Sequence, residues 1–255
     1  MDAEHLVALG GGRVIDVAKA LASAAGGGRV AAVPTTLSAA EMTRMHRHAE
    51  GVAADTPRTR PALVISDPDL CASQPEPALA ASAANALAHA AEAPLTPLAS
   101  PVATLAALEG GRLLAGAWRD GAVNRDALAL GALLSGYASD IAVFGLHHVM
   151  SQTIVRVAGI GHGPANALLL PHTLRALDRR FPEAMRRFGA ALGGDPPSAA
   201  AALAARTGTV RLRDLGVTAE TLGECADVAA ARPDLAMTPP PADRVELLAL
   251  YEAAW

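Results

Sequence analysis

The sequence predicts an α/β plus all-α architecture. A small parallel α/β layer, residues 1–72, packs on a C-terminal helical domain, residues 73–255. Two glycine triplets bound a strand–turn–helix–strand succession near the N-terminus. From Pro75 onward the chain turns to long Ala/Leu-rich stretches broken by proline and glycine. Hydrophobic residues make up 51% of the chain but aromatics only 3%, so alanine must supply much of the apolar surface, and alanine is the strongest helix former.

Residues His5 to Leu9 form a short apolar run that ends in Gly10-Gly11-Gly12. Residues 13–25 have helical composition and stop at Gly26-Gly27-Gly28. Arg29 to Val33 is a second apolar run, closed by Pro34. Strand, glycine turn, helix and strand make a βαβ unit with parallel strands. Glycines at such a turn let backbone N–H groups reach a phosphate at the helix N-terminus, although a tight turn without ligand uses the same residues. The polar stretch from Met45 to Pro61 is expected to be a hairpin or loop, and Ala62 to Ser66 a short strand. Helices then follow, with breaks at Pro94–Pro101, Gly159–Gly163, Gly193–Pro197 and Pro239–Pro241.

Composition excludes several classes of function. The net charge of −4 comes without a basic stripe, so no nucleic-acid partner is expected. No apolar run is long enough for a membrane span, and no signal peptide is evident. The two cysteines, Cys71 and Cys225, form no disulfide framework and fit a reducing cytosol, so a cytoplasmic enzyme is expected. Of the 21 basic residues, every one but Lys19 is arginine. A lone lysine in an arginine-using chain suggests a position that needs a compact ammonium rather than a planar fork.

The histidines are the chemical signal. Asn85 and His89 are four apart in a helix-favouring stretch and therefore share one face. His148 and His162 flank the Gly159-Ile160-Gly161 break. Imidazoles brought together from separate elements suit a divalent metal, for which Asn85, His89, His148 and His162 are the candidate ligands. Without metal, the same imidazoles could instead form a cationic pocket for an anionic substrate, with one acting as general acid.

Four segments carry a resemblance. They are Gly10-Gly-Gly-Arg-Val-Ile-Asp16-Val-Ala-Lys19, Pro34-Thr-Thr-Leu-Ser-Ala-Ala-Glu41, Asn85-Ala-Leu-Ala-His-Ala-Ala-Glu92, and Gly145-Leu-His-His-Val-Met-Ser-Gln152 followed by Gly161-His-Gly-Pro-Ala-Asn166. In this order the sequence resembles the iron-containing alcohol dehydrogenase family, and within it the maleylacetate reductase branch. The resemblance implies a truncated Rossmann-like layer on a helical domain, the dehydroquinate synthase-like fold. It implies a partial dinucleotide-binding domain over residues 1–72 and a metal and substrate domain over 73–255. It assigns Gly10, Gly11, Gly12, Asp16, Thr35 and Thr36 to the cofactor, and Lys19, His148 and His89 to catalysis.

The departures from the family pattern shape the remaining expectations. Few residues precede Gly10, where family members carry early strands of the nucleotide sheet. Lost residues, a misassigned start, or another chain over the sheet edge would each account for that. A homodimer or a partner covering the edge is therefore expected. Arg13 replaces a small hydroxyl residue and could meet a phosphate or fill the groove. Ala39-Ala40 stands in place of Gly-Ser, Asn85 in place of an aspartate, and Gln152 in place of a further histidine. NAD(P) is expected as cofactor, held more weakly than in a longer member of the family, along with iron or zinc. The function expected is reduction of a small, anionic carbonyl or enoyl acid. A cofactor-independent isomerase, lyase or cyclase, or a non-catalytic subunit, is the alternative.

Overall fold

The computed structural model describes residues 5–119 and 121–255. Strands β1 (His5–Gly10), β2 (Arg29–Pro34) and β3 (Leu63–Val64) form one parallel sheet in the order β1-β2-β3. The register pairs His5 with Arg29 and Ala31 with Leu63. The third strand is shorter than the sequence suggests, because only Leu63 and Val64 stay on the ladder. It is framed by bonds from Ala62 N to Val30 O at 2.8 Å and from Ile65 N to Ala32 O at 2.9 Å. Helix α1 (Gly12–Ala24) crosses between β1 and β2, and Ala8, Ile15, Ala18, Ala22, Val30 and Ala32 form the small core beneath it. Residues 44–62 form no strand, so of the expected hairpin or loop it is an irregular loop that forms.

The rest is helical: α2 (Pro68–Cys71), α3 (Glu76–Glu92), α4 (Pro101–Gly116), α5 (Arg125–Ala142), α6 (Leu146–Ala158), α7 (His162–Arg180), α8 (Pro182–Leu192), α9 (Pro196–Arg206), α10 (Ala219–Ala230) and α11 (Arg244–Ala254). Side-chain oxygens of Ser100, Asn124, Asp195, Thr218 and Asp243 accept from the first turns of α4, α5, α9, α10 and α11. Each supplies an acceptor to a helix end that would otherwise waste its N–H groups. Helix α3 is the axle of the domain, packing against α4, α5, α7 and α9. Its alanines at 80, 83, 84, 86, 88 and 90 are fully buried, which lets those neighbours come close.

Helices α4 and α5 pack closely. A methyl at Gly110 would lie 3.0 Å from Gly131 O, and one at Gly131 would lie 3.1 Å from Gly110 O. Backbone therefore touches backbone at this crossing. The α/β layer is tied to the helices through Asp140, at the C-terminal end of α5. Its almost fully buried carboxylate accepts from Arg44 N at 2.7 Å and pairs with the Arg44 and Arg60 guanidinium groups at 3.4 and 3.2 Å. Both cysteines are free and buried. Among the described residues, no single helix is long and apolar enough to cross a membrane.

Candidate active site

One cavity of about 330 Å³ opens where the two layers meet. Gly12, Arg13 and Asp16 line it from the start of α1, and Ser38, Ala39, Ala40, Thr43 and Met45 from the segment after β2. Asn85 and His89 on α3, Ser139 on α5, His148 and Gln152 on α6, Phe144 just before α6 and His162 at the start of α7 close it from the helical side. All four candidate ligands thus face one space.

The glycine turn works through its backbone. Gly10 sits at φ +155, and a Cβ there would meet Val14 at 2.7 Å. A Cβ on Gly12 would meet the Ser38 side chain at 2.9 Å. No side chain caps the start of α1, whose N-cap is Gly11; Val14 N and Ile15 N bond back to Gly11 O, which leaves the N–H groups of Gly12 and Arg13 for an anion. Thr36 packs beside Gly11, and its buried Oγ1 has no hydrogen-bond partner. Thr35 contributes its backbone, donating from N to Gly10 O at 3.0 Å. Of the residues assigned to the cofactor, Gly12 and Asp16 line the cavity itself, while Gly10, Gly11, Thr35 and Thr36 shape the turn behind it. Ala39 adopts φ +65, a conformation that glycine enters without steric cost.

Lys19 does not reach the cavity, which corrects its assignment to catalysis. The side chain is fully buried. Its ammonium donates to Ala40 O at 2.8 Å, Thr43 O at 3.0 Å and Met45 O at 2.7 Å, and it pairs with Asp16 at 2.9 Å. Three donors meeting carbonyls from one loop leave none for a substrate. A tetrahedral ammonium converges on them where a planar guanidinium cannot, which accounts for the single lysine. Lys19 is therefore the peg that holds the cavity-lining segment 40–45. Burial lowers its pKa, against the opposing pull of Asp16.

The imidazoles are organised by Glu92, a residue to which the sequence alone assigns no role. Glu92 ends α3, and its buried carboxylate accepts from His147 N at 2.6 Å through Oε1 and meets His148 Nδ1 at 2.6 Å through Oε2. Burial raises its pKa, while the backbone N–H groups at the start of α6 favour the charged form. With Nδ1–H committed to Glu92, the Nε2 of His148 is a lone pair. Gly145 makes this approach feasible: a Cβ there would lie 2.0 Å from Thr238 Oγ1, the atom that accepts from Leu146 N at 2.9 Å.

His147, the neighbouring imidazole, is structural. Asn166 Nδ2 donates to His162 O at 2.9 Å, which turns its Oδ1 toward His147 Nε2 at 2.9 Å. His147 is therefore protonated on Nε2 and accepts from Thr173 on Nδ1, also at 2.9 Å. This chain ties the first turn of α7, and with it His162, to α6.

Burial keeps the cluster neutral. It pushes His148 down to about 3, with His162 as a lesser cause, and His147 down to about 3, with His148 as a lesser cause. His89 is also lowered well below the usual imidazole range, by burial first and then by the other imidazoles, and its ring stacks on His148 with centroids 4.1 Å apart. His162 stands at the open rim, lowered by its surroundings and then by the Arg13 guanidinium. Burial thus disfavours the charged imidazoles that a cationic pocket needs, and among the described residues the cationic side chain on the cavity lining is Arg13.

On the helical side of the cavity, three buried atoms make no hydrogen bond: Asn85 Oδ1, His89 Nδ1 and His148 Nε2. Unpartnered oxygen and imidazole lone pairs are the donor chemistry that a divalent ion takes. Among the described residues, no three His, Cys, Asp or Glu side chains already stand in a metal-holding group. An ion would therefore have to draw the imidazoles together.

Comparison with known proteins identifies the family. Residues 79–255 match the model of the Fe-containing alcohol dehydrogenase family, C-terminal. The maleylacetate reductase of Pseudomonas knackmussii is 35% identical over 265 aligned residues, spanning 100% of this chain and 74% of that protein. The solved maleylacetate reductase from Agrobacterium tumefaciens superposes with a TM-score of 0.87 at 30% identity, over 99% of this chain and 74% of that one. The sulfoacetaldehyde reductase from Bifidobacterium kashiwanohense, solved with NAD+, shares the fold with a TM-score of 0.81 at 23% identity, over 98% of this chain and 76% of that one. The chain belongs to the Fe-containing alcohol dehydrogenase family and, with it, to the oxidoreductases.

Proposed function

We propose that the protein is an NAD(P)H-dependent reductase of a small anionic carbonyl or enoyl acid, of the maleylacetate type, working in the cytoplasm. The observation that carries this reading is the continuity of the cavity. The uncapped start of α1 and the neutral imidazole–amide cluster line the same space. A dinucleotide with its phosphates on α1 would bring its reactive ring to the histidines. The non-redox alternative needs no such junction and is not favoured.

When bound, NAD(P)H supplies the hydride, and a divalent ion held by Asn85, His89, His148 and His162 would polarise the substrate oxygen. The chain's own residues do the rest. Backbone N–H groups at Gly12 and Arg13 bind phosphate, and the Arg13 guanidinium at the cavity wall attracts the substrate carboxylate. Glu92 fixes the His148 tautomer, so that Nε2 presents its lone pair to the cavity. Water delivers the proton, a role His148 itself cannot fill with its pKa down at about 3. Phe144 and the buried alanines keep other water out.

A fluorescence titration with NADH and NADPH, followed by turnover of maleylacetate, tests this. Saturable binding with cofactor consumption is the expected result. No binding at millimolar cofactor would return the non-redox reading. A stoichiometric divalent ion in protein purified without chelator would place the four ligand residues in a metal centre.

A further inference from the structure

Gln152 lies one helical turn after His148 on α6 and shares its face toward the cavity. Its amide is held by Arg232, whose Nη2 donates to Gln152 Oε1 at 3.0 Å. Arg232 is in turn oriented by Asp234 Oδ2, at 2.9 Å from Nη2 and 3.2 Å from Nε, and by Val149 O at 3.4 Å from Nη1. A guanidinium has donors and no acceptor, so the atom of Gln152 that faces it must be the oxygen. The usual ambiguity between amide oxygen and nitrogen is thereby removed. The Gln152 nitrogen makes no hydrogen bond to the described residues, on a side chain that lines the cavity. Its nitrogen therefore keeps two N–H donors free.

A donor held in one orientation before substrate arrives suits an oxygen that gains negative charge during the reaction. As hydride adds to carbon, the π electron pair moves onto oxygen, which later takes its proton from water. An N–H aimed at that oxygen stabilises the charge without itself giving up a proton.

We propose that Gln152 is the hydrogen-bond donor to the substrate oxygen and that Arg232 is its positioning residue. The proposal rests on the reductase reading for the identity of the reaction, and on the Arg232–Gln152–cavity geometry for the donor itself.

Gln152→Glu is the decisive variant. The introduced carboxylate would keep, and strengthen, the contact to Arg232, so the fold is preserved. The group facing the substrate would change from an N–H donor to a carboxylate oxygen. The expected result is a drop in kcat/KM of about 100-fold or more, with NADPH affinity and the thermal midpoint close to wild type. Arg232→Met should lower kcat/KM less. Combining it with Gln152→Leu should cost no more than Gln152→Leu alone, since the two act through one contact.

Calorimetric titration with maleate in the absence of nicotinamide, where no hydride is available, supplies a readout free of turnover, and Gln152→Glu should lose its affinity. Retention of wild-type kcat/KM by Gln152→Glu would overturn the proposal while leaving the reductase reading intact. Maleate binding that Gln152→Glu abolishes, in a protein that consumes no NAD(P)H, would overturn the reductase reading and support the donor. A wild-type protein that neither binds maleate nor turns over would overturn both.

Discussion

Replacing Lys19 by methionine tests whether this residue is a peg or a catalyst. Methionine keeps the length and removes the charge. The loss has two parts. Asp16, with its side chain 44% exposed, loses an ion pair but regains water, so its share is small. The carbonyls of Ala40, Thr43 and Met45 lose their donor, and each stranded buried acceptor costs about 1–3 kcal/mol. Water entering near half-exposed Met45 recovers part of this, and relief of the buried ammonium's desolvation offsets more. A net destabilisation of about 3–5 kcal/mol remains, the range seen when one partner of a buried charge network is removed. Urea unfolding of the cofactor-free protein measures it. Cofactor affinity should fall too, because segment 40–45 lines the cavity. Lys19→Arg should not rescue. A loss of stability under about 1 kcal/mol with a collapse of kcat would refute the reasoning and return Lys19 to catalysis.

Other outcomes follow from the same structure. Glu41 is buried and its carboxyl is raised to about 7, first by burial, despite Lys19 and Ser38 nearby. The folded state therefore binds more protons than the unfolded between roughly pH 4.5 and 7, so this contribution is fully present below that window and is lost as pH rises through it. It amounts to about 3 kcal/mol, and Glu41→Gln should flatten the pH dependence of the urea midpoint there. Ala39→Gly relieves a left-handed backbone and should raise stability by about 1 kcal/mol in the same assay. Glu92→Gln leaves His148 Nδ1–H with a neutral partner at best; turnover should fall by about 10–100-fold, and an unchanged rate would remove Glu92 from the site. Val7, Leu9, Val14, Val17, Leu63 and Ile65 expose apolar surface on the sheet and α1, so light scattering at micromolar concentration should report a mass above that of a monomer.

The βαβ unit was legible because glycine triplets and apolar runs are local signals. The convergence of Asn85, His89, His148 and His162 was visible in part: the 85/89 spacing is helical geometry, while the meeting of 148 and 162 leaned on family resemblance. Lys19 shows the limit of such reading. Its uniqueness marked a special position, yet only the folded loop reveals that its ammonium ends on three carbonyls. Glu92 stood inside a recognised motif, but its pairing with His148 spans 56 residues, and Arg232 reaches Gln152 across 80. No local periodicity encodes contacts of that range. The short β3 was overread because an apolar run states what can be buried, not how many residues a neighbouring strand will pair.

The backbone contact between Gly110 and Gly131 has a consequence for how the cavity moves. Side-chain interfaces slide, since rotamers can exchange; two main chains in van der Waals contact have no such slack. Helix α5 is therefore seated on α4 like a rail in a bearing, and its far end carries Ser139 on the cavity wall and Asp140 at the junction with the nucleotide layer. Opening of the site should therefore hinge on the loop around Arg44–Arg60, with α4 and α5 as the stationary frame.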